Sequence, residues 1–116
     1  MPRISSDDAE IFYETTGSGP PVVLLHPFPA HHEFWLPVAV MLASRYRLIM
    51  PDLRGHGESS LGNGPATMQK HAADIARVMD AAGVDRAPLI GVSIGGYAIL
   101  EFWRRFRNRA TCPRPL

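Results

Sequence analysis

The chain has 116 residues, 46% hydrophobic and 20% charged, with a formal net charge of +1: the dimensions of one globular domain, without the charge bias that nucleic acid or an anionic membrane would demand. The single cysteine, Cys112, has no partner for an internal disulfide, which fits a reducing compartment. The N-terminus is polar and no apolar run approaches the ~20 residues of a membrane span, so a cytoplasmic protein with no membrane partner is expected.

Ile4 to Thr16 reads as strand material with a turn at Ser5-Ser6-Asp7-Asp8, followed by a Gly/Pro loop over Gly17–Pro21. Val22-Val23-Leu24-Leu25 is apolar without alternation, the pattern of a strand buried on both faces in a parallel sheet. It runs into the rigid turn His26-Pro27-Phe28-Pro29-Ala30. Phe34, Val38, Met41 and Leu42 have the spacing of one helical face, which predicts a helix over Phe34–Ser44 with Pro37 in its first turn. Arg47–Met50 is the next strand and feeds Pro51-Asp52-Leu53-Arg54-Gly55-His56-Gly57-Glu58-Ser59. Thr67 caps a helix predicted from Met68 to Ala82, with a buried stripe of Met68, Ala72, Ile75, Met79 and Ala82 and Gly83 as its C-terminal stop.

The next strand, Ala87–Val92, ends at Ser93, with Gly91 two residues before and Gly95 two residues after. A helix from Ile94 to Phe106 comes next, with Tyr97, Ile99, Leu100, Trp103 and Phe106 as its apolar positions. Strand and helix nearly collide at such a turn, so the flanking residues must lack bulk, and Ser93 stands exposed beside the N–H of Ile94. Alternating strands and helices with continuous apolar strands predict an α/β fold: a mostly parallel sheet with helices on both faces. Ligands then bind beyond the carboxyl ends of the strands, where the His26 turn, the Asp52 turn and Ser93 all fall.

Leu24-Leu25-His26-Pro27-Phe28, Pro51 to Ser59 and Gly91-Val92-Ser93-Ile94-Gly95-Gly96, in this order and spacing, resemble the α/β-hydrolase superfamily over about residues 10–106. The resemblance implies that Ser93, at a nucleophile elbow, attacks a carbonyl and passes through an acyl-enzyme. It also implies an oxyanion hole of two backbone N–H groups, one from Ile94 and one from Phe28, since Pro27 has none to give. The substrate class is small carbonyl compounds such as esters, and no cofactor or metal is implied.

Beyond Ser93 the sequence departs from the family. A triad needs an acid and then a histidine, and this chain has no histidine after Ser93 and only Glu101 as an acid. From Arg107 the apolar period is lost. The expectation is therefore a truncated hydrolase fold over residues 1–106 with a non-family Arg/Pro-rich tail over 107–116, nearly inert alone. With later strands missing, Ala87–Val92 becomes a sheet edge, which predicts self-association.

Other readings stay beside these. His26 or His56 could replace the base, although a structural role for His26 in the oxyanion turn, and for Asp52, Arg54, Gly55, His56 and Gly57 in a tight turn beneath the site, is the simpler reading. A non-catalytic remnant or binding module that keeps the fold is the alternative in another class. His31, His32 and His71 read as surface residues, and a metal site of His26, His31 and His32 is disfavoured. The cluster Arg104, Arg105, Arg107 and Arg109 reads as a solvated helix end.

Overall fold

The computed structural model describes residues 2–111. Strands β1 (Arg3–Ser6) and β2 (Ala9–Thr16) form a hairpin around the turn at Asp7 and Asp8. They are followed by β3 (Pro21–Leu25), α1 (Leu36–Leu42), β4 (Arg47–Pro51), α2 (Met68–Ala81), β5 (Ala87–Gly91), α3 (Ile94–Arg105) and a short β6 (Ala110–Thr111). The six strands make one sheet in the order β1-β2-β4-β3-β5-β6. β4, β3, β5 and β6 run parallel, and the β1–β2 hairpin joins antiparallel at β4.

The unbroken apolar strands serve both faces, as their sequence requires. Val23, Leu25 and Ile49 point into the core beneath α2 and α3, where Ala72, Ile75, Met79, Ala98 and Phe102 are buried. Val22, Leu24, Leu48 and Met50 point the other way, against Trp35 and Ala39. α2 has the Thr67 cap, its hydroxyl accepting from the Lys70 N–H at 3.2 Å, and Gly83 lies just past its end at φ +73°.

Two helical faces differ from expectation. The segment before α1 begins as a 3₁₀ turn at His32–Trp35, and its tighter winding brings Trp35 inward instead of Phe34. Phe34 and Met41 are exposed, and Trp35 and Ala39 hold the core with Val38 and Leu42 alongside. On α3 the sheet-facing positions are Gly95, Ala98 and Phe102, while Tyr97, Leu100 and Trp103 lie outside. The cause is the closeness of α3 to β3 at its first turn, which admits only small residues there.

The last strand falls in the segment read as a tail. β6 pairs only with Ala87 and Pro88 of β5, so among the described residues Leu89, Ile90 and Gly91 have their ladder partner on the β3 side. No helix among the described residues is long and apolar enough to cross a membrane.

Candidate active site

Ser93 sits between β5 and α3, at φ 57° and ψ −116°, a backbone conformation unfavourable for a side chain with a Cβ. It is exposed at the carboxyl end of β5 and makes no capping bond to its helix. Neighbouring backbone enforces the turn. A Cβ on Gly91 would lie 2.6 Å from the Gly95 carbonyl carbon, and one on Gly95 would lie 2.5 Å from the Leu25 carbonyl oxygen. The start of α3 is thus pressed against the end of β3, and the Val92 N–H donates to the Leu25 carbonyl at 3.3 Å. Among the described residues, neither the Ile94 N–H nor the Phe28 N–H donates to a backbone carbonyl outside regular structure.

The turn that carries Phe28 is held by His26. This imidazole is completely buried, its Nδ1 is 2.8 Å from the Pro27 carbonyl, and its Nε2 accepts from the Leu53 N–H at 2.9 Å. Nδ1 therefore carries the proton and donates it to Pro27, which engages both nitrogens. Burial holds the His26 pKa below the ordinary imidazole value, against the opposing pull of its bond to Pro27. The Phe28 side chain is exposed and stands edge-on to the His56 ring, with centroids 5.6 Å apart.

Asp52, at the end of β4, ties this turn to the next. Its Oδ1 accepts from the His32 N–H at 2.6 Å and from His32 Nδ1 at 2.8 Å, and its Oδ2 accepts from the Glu58 N–H at 2.9 Å. Gly57 packs directly on this carboxylate, leaving no room for a Cβ. His56 Nδ1 lies 3.1 Å from the Arg54 carbonyl, and its Nε2 is buried with no partner among the described residues.

Arg54 turns away from the site into the interior. It is 1% exposed and donates to both carboxylate oxygens of Asp74, to Asp8 Oδ1 at 2.7 Å and to the Ser6 carbonyl at 3.0 Å. The Ser6 hydroxyl donates to the same Asp74 carboxylate. The guanidinium is held further above its ordinary value, chiefly by the Asp74 bonds. Asp8 falls to about 2, first through the Asn63 N–H and then through Arg54.

Several sequence expectations need correction here. His71 is not at the surface: it is fully buried on α2, among the described residues neither nitrogen is bonded, and burial lowers its pKa to about 4. His32 is bound into the Asp52 cluster, and of the three residues read as surface histidines only His31 stays substantially exposed. Sequence reasoning missed Asp74: its carboxylate falls on the shoulder of an apolar stripe, and only the fold reveals Arg54 opposite it. The C-terminal arginines need no such correction: Arg104, Arg105 and Arg107 are exposed at the helix end, each with its own partner. Arg104 pairs with Glu101 at 2.7 Å, Arg105 donates to the Gln69 carbonyl, Arg107 stacks on Trp103 and Arg109 donates to the Val84 and Asp85 carbonyls.

A parallel sheet whose serine-bearing turn abuts the turn after the neighbouring strand defines an α/β-hydrolase architecture. The family model for the alpha/beta hydrolase fold matches residues 20–111, and the chain belongs to that family. It is 39% identical over 101 residues to the "Putative carbamate hydrolase RutD" of Azorhizobium caulinodans, which covers 87% of this chain and 38% of that protein. It is 36% identical over 107 residues to a non-heme haloperoxidase of Rhodococcus erythropolis, covering 90% and 39%. A thermophilic esterase structure from Thermogutta terrifontis superposes with a TM-score of 0.88 at 36% identity, over 95% of this chain and 43% of that one. The chain thus spans about two fifths of the length of these relatives.

Proposed function

We propose that Ser93 is the nucleophile of a serine hydrolase acting on ester-type bonds of small molecules, with the N–H groups of Phe28 and Ile94 as its oxyanion hole. The observation that carries this reading is the strained, exposed placement of Ser93 on a glycine-flanked strand-to-helix turn. The similarity to proteins named as an esterase and a putative carbamate hydrolase supports the choice of carbonyl substrates.

In this mechanism Ser93 Oγ bonds to the carbonyl carbon, and the carbonyl oxygen takes the negative charge between the two N–H donors. A base removes the Ser93 proton and returns it to the departing alkoxide; water then hydrolyses the acyl-serine by the same steps. The turn that presents Phe28 is tied to the Asp52 turn through the Leu53 N–H on His26 and the His56 ring beside Phe28, while Asp52 and Gly57 brace the Asp52 turn itself and Arg54 anchors it to the interior. His26 is a poor base, because both of its nitrogens are engaged.

One second reading, a fold that keeps the nucleophile position without full catalysis, is favoured by the engagement of both His26 nitrogens, which leaves that nearby imidazole no free base. Hydrolysis of p-nitrophenyl acetate separates the two. Slow turnover that disappears in Ser93→Ala supports the hydrolase reading. Equal rates in both proteins, or none in either, overturn it.

We also propose that a second copy associates through Leu89–Gly91 of β5, which among the described residues pair on the β3 side alone, beside the exposed Tyr97, Leu100 and Trp103.

A further inference from the structure

We propose that His31, His32 and Asp52 form a binding site for a divalent transition metal of the zinc class. One ligand atom from each of the three lies within 4.8 Å of the others. The trio differs from the one weighed on sequence, because His26 is locked by Pro27 and Leu53 while the Asp52 carboxylate enters from the neighbouring strand end. Two connections of the fold therefore converge on one point, and the ligands do not come from a single floppy loop.

The donor set selects the class of ion. Two imidazoles and one carboxylate suit zinc, whereas magnesium and calcium prefer all-oxygen sites. Three protein ligands leave a fourth, solvent-facing position, the open arrangement of zinc sites that bind an external ligand. His32 Nδ1 and Asp52 Oδ1 are 2.8 Å apart, so a few tenths of an ångström of separation accommodate a tetrahedral ion bonded to both.

The proton balance is simple. His32 Nδ1 faces Asp52 Oδ1, and an imidazole that binds an ion through Nδ1 carries its one proton on Nε2.

The surroundings are those of a supported site with a way in. Asp52 is fully buried and its second oxygen is fixed by the Glu58 N–H, which orients the first. The His32 ring packs on Phe12 with centroids 5.0 Å apart. The His31 side chain is 44% exposed, which opens the site to solvent. Glu33 lies on that side, its Oε1 3.9 Å from His31 Nε2, and adds a second negative charge near the ion.

The test uses the whole chain after treatment with chelator. Titration with zinc(II), followed by calorimetry and by thermal melting, is expected to show one equivalent bound and a rise in Tm. Cobalt(II) is expected to give a tetrahedral visible spectrum without the thiolate charge-transfer band that Cys112 would bring. His31→Ala is expected to weaken binding about tenfold or more and to lose most of the zinc-induced rise in Tm. His31→Gln, which keeps a polar side chain, is expected to behave alike. Absence of binding, a thiolate band, or affinity unchanged in both variants overturns the proposal and leaves the reading of Ser93 as it stands.

Discussion

Arg54 donates from Nε to Oδ2 of Asp74 at 2.9 Å and from Nη2 to Oδ1 at 2.8 Å, a two-pronged pair sealed between the Asp52 turn and α2. Breaking a buried pair from one side leaves an uncompensated charge. Asp74→Asn is therefore expected to cost about 3 kcal/mol in urea unfolding, with Asp8 partly compensating the orphaned guanidinium. Glu58→Gln, which loses the exposed pair with Arg3, is expected to cost under about 1 kcal/mol. Similar losses in the two variants would contradict the assigned role of Asp74.

The turn at Ser93 sets stability against function. Its φ of 57° favours glycine, so Ser93→Gly is expected to stabilise the chain by about 1 kcal/mol while removing the nucleophile. Gly95→Ala drives a Cβ into the Leu25 carbonyl and is expected to cost about 3 kcal/mol or more. Thermal melts of the two variants should move in opposite directions. A destabilised Ser93→Gly would show that the turn is unstrained.

His71 makes stability depend on pH. Above about pH 6.5 the imidazole is neutral whether folded or not, and its contribution is fully present. As pH falls toward the folded value of about 4, the unfolded chain takes up the proton first, and stability drops. Asp74, His56, Arg54 and His26 act on this ring, and His26, also lowered by burial, adds to the loss in the same direction. The urea midpoint is expected to fall between pH 7 and pH 4 in the native chain and to fall less in His71→Leu. Parallel curves for the two proteins would rule out this assignment.

The sheet and the order of its elements were legible because apolar strands, Pro37, Thr67 and Gly83 are local signals. The glycines around Ser93 were legible for the same reason. The helix faces were not. Which side of α3 meets the sheet depends on how near β3 comes at Gly95, so size mattered more there than hydrophobicity. Nor could spacing show that Asp74 and Arg54, 20 residues apart, would meet, or that His71 would be buried without a partner. Long-range polar pairing leaves no periodic trace in a single chain.

Leu89–Gly91 of β5, paired among the described residues on the β3 side alone, bear on the proposed self-association. Sedimentation velocity of the native chain is expected to show dimers or larger species at micromolar concentration, reduced by Ile90→Lys, which places a charge on that stretch. A monodisperse native monomer would contradict the proposed contact.

Ser93 as the acyl-accepting group is tested most directly by treating the folded chain with a fluorophosphonate probe and mapping the adduct to a peptide, beside a Ser93→Ala control. Labelling confined to Ser93 and lost in the variant is expected. A folded chain that takes up no probe, or one labelled equally with and without Ser93, would contradict the proposed role of Ser93.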